Sequence, residues 1–187
     1  MSNNPSRHSL IEPIFIGIAG RRGAGKTSAA QHLSSAFGFQ YTRYSQVLKK
    51  WLSDGSDIDR LQDVGWNVMS GGLQVELNSR LIAGLNCSRS AAIDGLRHPI
   101  DVKQLSSAFG SSFRLVFLET REQLRFDRQR LRFSTYAAFQ SAESHPVEGH
   151  IDSLKPLASA TISNEDSLEA LYRQLDTLMV RGGEEKS

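Results

Sequence analysis

Apolar residues in this chain gather in short runs, separated by longer stretches in which they recur every three or four positions. Ile14 to Ala19, IFIGIA, is an apolar run with β-branched and aromatic members, and the glycines after it mark a turn. That pattern predicts a buried strand. In KTSAAQHLSSAF, Ala29, Ala30, Leu33 and Phe37 repeat at helical spacing and Gly38 supplies the stop. FQYTR, from Phe39, predicts a short second strand. SQVLKKWL begins at Ser45, a residue type that caps helices, and continues as an amphipathic helix. From Ile58 to Leu85 the spacing is helical but broken by Ser70 to Gly72, which predicts two helices around a bend. SAAID before Gly95 predicts a third strand, VKQLSSAF a helix ended by Gly110, and FRLVFLE from Phe113 a fourth strand. REQLRFDRQRLRF reads as one strongly basic helix and STYAAFQSAES as a short helical segment. ATIS from Ala160 reads as a fifth strand, and SLEALYRQLDTLM as a closing amphipathic helix.

Strands that alternate with helices imply βαβ units, hence a parallel sheet covered on both faces: an α/β fold of three layers, α/β/α, with five parallel strands. The pattern occupies residues 13–180, and the polar ends, 1–12 and 181–187, are expected to be disordered. No internal repeat or linker interrupts it. At 187 residues, 39% of them hydrophobic and 22% charged, the chain fits one globular domain and neither a coiled coil nor a disordered protein. The segment MSNNPSRHSLIE lacks the apolar centre of a signal peptide, and no run approaches the roughly 20 apolar residues of a membrane span. The single cysteine, Cys87, has no partner for a disulfide or a metal pair, which fits a reducing, cytoplasmic setting. A net charge of +2 argues against nucleic acid and membrane surfaces as partners, so any anion must be met by a local cluster. The composition is compatible with a homodimer and does not fix the oligomeric state.

One such cluster is GRRGAGKTS, residues 20 to 28, directly after the first strand. Gly20, Gly25, Lys26 and Thr27 satisfy G-x-x-x-x-G-K-[ST] between a predicted strand and a predicted helix, the context in which that spacing forms a P-loop. Glycines let successive backbone N–H groups converge on phosphate oxygens, and the helix beginning at Lys26 adds its positive end. The expected cofactors are therefore ATP and Mg²⁺. Gly20, Gly23, Ala24, Gly25, Lys26, Thr27 and Ser28 form the cradle, with Lys26 on the β and γ phosphates and the Thr27 hydroxyl on the metal. Arg21 and Arg22 occupy variable positions of the motif and either touch phosphate or face solvent. No N-K-x-D element of guanine-specific GTPases follows a strand, and the length is short for a motor ATPase. AAIDGLRHP places Asp94 and Arg97 at the carboxyl end of the third strand, the edge where open parallel sheets bind ligands. Asp94 is a candidate second metal residue, which could instead orient an acceptor, and Arg97 is a candidate bidentate phosphate ligand.

Beyond the P-loop, YTRYSQVLK, RLQDVGWNVMSGG, AAIDGLRHPIDVKQL, FLETREQLRFDRQRLR and SHPVEGHIDSLKPLASATISN follow one another in an order that resembles P-loop kinases of the nucleoside monophosphate kinase type. The likeness is greatest to phage and bacterial deoxynucleoside monophosphate kinases and their AAA-labelled relatives, with dephospho-CoA kinase a more distant cousin. It covers about residues 14 to 178. It implies ATP-dependent phosphoryl transfer to a small phosphorylated acceptor, within a P-loop NTPase fold that carries a helical acceptor and lid region. Ser45, Lys49 and Arg43 fall on the acceptor side, with Lys49 where relatives carry an arginine. RLQDVG, with Arg60, Gln62 and Gly65, resembles an R-x-L-Q-x-x-G element near the acceptor, one residue shorter between Arg and Leu, and Met69 stands where relatives carry another arginine. Arg125 and Arg128 match the R-x-x-R pair of the lid helix, and Arg125 is expected among the acceptor-binding residues as well. Arg128 and Arg132 are the arginines expected to neutralise charge on the transferred group, and Asn164 sits where relatives place the adenine-contacting loop. His145 and Glu148 match a segment after the lid to which the resemblance gives no role. Transfer to another small acceptor such as dephospho-CoA, and ATP binding without transfer, are the alternatives; Lys49 and Met69 keep the second open.

Overall fold

The computed structural model describes residues 12–52 and 60–184, with the side chains of 52, 60–64 and 181–184 outside the description. Its centre is β1 (Phe15–Ala19), buried at every position because helices cover both faces of the sheet. The glycine-rich turn leads into α1 (Lys26–Phe37), which ends at Gly38 in the left-handed conformation (φ 69°). Next come β2 (Gln40–Arg43) and α2 (Tyr44–Leu52), then α3 (Arg60–Ser70), α4 (Gln74–Ala83) and β3 (Ala91–Leu96). After these the chain forms α5 (Pro99–Phe109), β4 (Phe113–Glu119), α6 (Glu122–Arg128), α7 (Tyr136–Glu143), β5 (Ala160–Ser163) and α8 (Leu168–Glu184). The five strands are parallel in the order β2-β3-β1-β4-β5. The chain builds β2 and β3 on one side of β1 and β4 and β5 on the other. The switch point therefore falls at β1, and a crevice opens beyond its carboxyl end, where the glycine-rich turn lies.

Period-two alternation in the strands separates two cores. Ile16, Ile18, Val116 and Leu118 face α1 and α8, packing with Leu33, Leu171 and Leu175. Ile93, Leu115 and Phe117 face the other way, against Leu77, Leu81, Val102 and Leu105 of α4 and α5. This is the expected three-layer α/β/α arrangement, and the bend at Ser70–Gly72 separates α3 from α4 as the spacing predicted.

Three local expectations fail. Ser45 does not cap α2, because β2 passes into the helix at Tyr44, whose buried hydroxyl donates to Asn78 Oδ1 at 2.5 Å. The basic segment is not one helix. Its helix, α6, stops at Arg128, Gln129 leaves helical geometry (φ −108°, ψ 11°), and the chain folds back so that Phe126 and Phe133 both pack on Phe139 of α7, at 5.6 and 5.7 Å between centroids. The third strand does not end before Gly95 but runs on to Leu96 through a bulge: Ile18 pairs with Asp94 but Ala19 with Leu96, and Gly95 takes φ 92°. Residues 1–11 lie outside the described residues, and the backbone of α8 continues to Glu184, past residue 180, where the pattern was expected to end.

Candidate functional site

The turn after β1 takes its shape from glycine. Gly25 precedes α1 at φ 96°, and a Cβ there would stand 2.4 Å from Asn164 Nδ2; at Gly23 (φ 76°) a Cβ would stand 2.8 Å from the Arg125 carbonyl oxygen. Two neighbours thus press on the loop from behind. Asn164, at the end of β5, is 2% exposed, and its amide donates to the Ala24 carbonyl at 2.9 Å. Arg125 is 4% exposed; it donates to the carbonyls of Arg22 and Thr120, both at 3.1 Å, and pairs with Glu143.

Lys26 Nζ lies within the loop, donating to the carbonyls of Gly20 (2.7 Å) and Arg21 (2.9 Å). Burial, reinforced by the Arg97 cation, lowers its pKa to about 8, against the opposing pull of Asp94 and Glu148. Thr27 Oγ1 donates to Asp94 Oδ2 at 2.8 Å, so the bulge in β3 sets this carboxylate beside the first turn of α1. Tyr41 and Arg43, both from β2, complete the group: the Tyr41 hydroxyl donates to Asp94 Oδ2 at 3.2 Å, and Arg43 reaches Asp94 at 3.3 Å and Thr27 Oγ1 at 2.9 Å. Burial beside Asp94 raises the Tyr41 phenol.

These residues open on a cleft of about 850 Å³ that runs from the glycine loop to the helices after β2. On the loop side it is lined by Gly23, Gly25, Lys26, Thr27 and Ser28, with Asn164. On the far side it is lined by Ser45 and Lys49 of α2, Gly65 and Met69 of α3, and Gln74 and Leu77 of α4. Asp94 and Arg97 lie between, and Arg128 and Arg132 stand exposed at its edge, the latter past the end of α6. The far side rests on a buried polar network in which Asp101, 1% exposed, accepts from Gln74 Nε2 (2.5 Å), Asn78 Nδ2 (2.9 Å) and the amides of Arg97 and His98 (both 3.0 Å). Every donor that needs this carboxylate is held, which rigidifies the floor.

The sequence-based site is thus largely brought together, with exceptions. Arg125 does not line the cleft: its guanidinium braces the loop from beneath. Asn164 lines the cleft, but its side-chain amide is spent on the loop. Arg97 lines the cleft, but it is not a lone phosphate ligand, because one arm of its guanidinium is shared with Glu148. Gly20 and Ala24 are buried in the loop without lining the cleft. The side chains of Arg60 and Gln62 lie outside the described residues. Pattern reading missed the ion pairs beneath the loop, Arg22 with Glu148 and Arg125 with Glu143. Their partners lie between 18 and 126 residues apart, and only the acidic residues among the polar positions after α6 signalled them.

The hard oxygen donors Thr27 and Asp94, 2.8 Å apart beside a phosphate-type loop, fit Mg²⁺, which keeps most of its shell for water and substrate phosphates. No cluster of three or more His, Cys, Asp or Glu that could hold a metal ion forms among the described residues. No described helix is long and apolar enough to cross a membrane.

No family model matches the sequence, and no curated protein matches it. Similar solved structures do exist. A shikimate kinase from Acinetobacter baumannii in complex with shikimate superposes with a TM-score of 0.62 at 19% identity, over 95% of this chain and 98% of that one. The Mycobacterium tuberculosis APS kinase CysC in complex with AMPPNP and APS gives 0.61 at 12%, over 90% and 98%. A shikimate kinase from Aquifex aeolicus gives 0.56 at 15%, over 91% and 98%. The fold is that of the P-loop kinases.

Proposed function

We propose that this chain transfers the γ-phosphoryl group of ATP to a small anionic acceptor, with a nucleoside or deoxynucleoside monophosphate as the first candidate. The observation that carries this reading is the single cleft joining the P-loop to a second, cationic compartment beside Arg43 and Lys49. A protein that only held a triphosphate would have no use for that compartment. The similar kinase structures, one holding AMPPNP and APS, support transfer to a small acceptor, and the sequence resemblance supports a monophosphate.

In this reading the loop amides and Lys26 hold the triphosphate, and Thr27 and Asp94 hold Mg²⁺, which when bound neutralises phosphate charge. An acceptor oxygen bonds to the γ-phosphorus as its bond to the β–γ bridging oxygen breaks, and ADP leaves. A monophosphate oxygen is already ionised, so no general base is required. Alignment and charge stabilisation do the work, with Arg128 and Arg132 at the cleft edge poised to meet the transferred group. The test is ADP release from ATP against a panel of nucleoside monophosphates, dephospho-CoA and shikimate, with Lys26→Ala as control. Turnover with a monophosphate supports the proposal. Turnover with dephospho-CoA or shikimate alone replaces the acceptor, and tight ATP binding without any turnover replaces transfer with sensing.

A further inference from the structure

Between the glycine loop and the acceptor compartment lies a carboxylate that monophosphate transfer does not itself demand. Glu148 ends the 3₁₀ turn Pro146–Glu148 and is 0% exposed. The turn is pinned locally: His145 Nδ1 accepts from the Val147 amide at 3.2 Å, and the Glu148 amide donates to the His145 carbonyl at 2.8 Å. From it Glu148 Oε1 accepts from Arg97 Nη1 and from Arg22 Nη2, the latter at 3.4 Å. One oxygen thus bridges a guanidinium from the donor loop and one from the acceptor edge of β3. Both arginines line the cleft.

Arg22 is 7% exposed, and its Nε is buried without a hydrogen-bond partner. A buried donor left unmatched on a cation is costly, and a ligand oxygen would satisfy it. The charge balance points the same way. Burial lowers the Arg22 pKa and Arg132 and Arg97 lower it further, while Glu148 and Glu143 oppose them. Burial would raise the Glu148 carboxyl, yet Arg97, Lys26 and Arg22 together hold it below its ordinary value. Glu148 therefore stays ionised amid three cations.

We propose that Arg22 and Arg97, oriented by Glu148, form a twin-guanidinium site for the terminal phosphoryl group at the junction of donor and acceptor. Arg22 binds that group, and Glu148 is a positioning residue that acts through the two arginines. A guanidinium offers five donors in a rigid fork, so each arginine can hold Glu148 with one and keep others for phosphate. The inference rests on the phosphoryl-transfer reading for the identity of the group.

The experiment is calorimetric titration of the full chain, with Mg²⁺, by AMPPNP and by ADP, which differ in the terminal group. The wild type should prefer AMPPNP by about tenfold, the size of a charge-assisted hydrogen bond. Glu148→Gln and Arg22→Met should cut that preference at least about threefold, leaving what Lys26 and the loop amides supply, while ADP affinity stays within about twofold, and Glu148→Asp should recover part of it. A merely structural role would weaken both ligands in parallel; that result, or an unchanged ratio, overturns the proposal. If Glu148→Gln does not fold, the double variant Arg22→Met/Glu148→Gln removes cation and counter-charge together: the same cut in the preference supports the site, and its retention refutes it. If no monophosphate is turned over but the ratio follows these variants, the acceptor assignment fails and this site stands. If turnover is found and the ratio ignores Glu148, the site alone fails.

Discussion

Replacing Arg125 with methionine keeps an unbranched stem but deletes the guanidinium, which supports the glycine loop and stands 5.6 Å from the centroid of the Phe139 ring. Three polar interactions go with it: the bonds to the Arg22 and Thr120 carbonyls, both 3.1 Å, and the pair with Glu143, whose side chain is 9% exposed. Removing one member of a buried pair costs about 3–5 kcal/mol, chiefly because the other charge stays behind. Here Arg21, 3.7 Å from the same carboxylate, offers partial compensation, which places the expected loss at the low end, about 3 kcal/mol. For a chain of this length that corresponds to a fall in Tm of roughly 6–12 °C. Urea unfolding with matched m-values is the assay. Adding Glu143→Gln should return part of the loss, because the double variant strands no charge, with a coupling of about 1–3 kcal/mol. A fall below about 1 kcal/mol for Arg125→Met, or strict additivity in the double variant, would refute the bracing role and return Arg125 to the acceptor and lid role that the sequence suggested.

Lys26 sets a pH signature. Its pKa falls from 10.5 to about 8 on folding, so the folded protein binds fewer protons than the unfolded chain between those values, and stability should rise with pH across that window. The rise amounts to about 3 kcal/mol at most. Comparing wild type with Lys26→Met by urea unfolding from pH 8 to 10 should show the wild type gaining, and parallel curves would refute it. Over the same window nucleotide affinity should decline as the ammonium is lost. Gly25→Ala, at φ 96° and 2.4 Å from Asn164 Nδ2, should cost about 1–3 kcal/mol by chemical denaturation and abolish nucleotide binding. Asp94→Asn should leave metal-free ADP affinity nearly unchanged while removing the enhancement that Mg²⁺ gives the wild type in the same titration.

The cradle was legible from sequence because all its members, Gly20 to Ser28, are local. Their spacing dictates backbone angles and a helix start, and tertiary context need only leave them room. The strands were legible for a similar reason, since burial on both faces writes an unbroken apolar run into IFIGIA and LVFL. What sequence could not show was which arginines meet the ligand. Arginines along a basic segment look alike in one dimension, and their roles depend on acids distant in the chain. Arg125 became a brace because Glu143 folds back beneath it. Arg97 and Arg22 became a pair because a pinned turn carries Glu148 between them, and Asn164 became a prop because β5 ends behind Ala24. Sequence alone determined that a phosphate loop opens a parallel α/β sheet, since periodicity and glycine chemistry act over a few residues. Only the tertiary structure decided how its charges are shared, because ion pairing depends on distance in space and on burial, and neither is written along the chain.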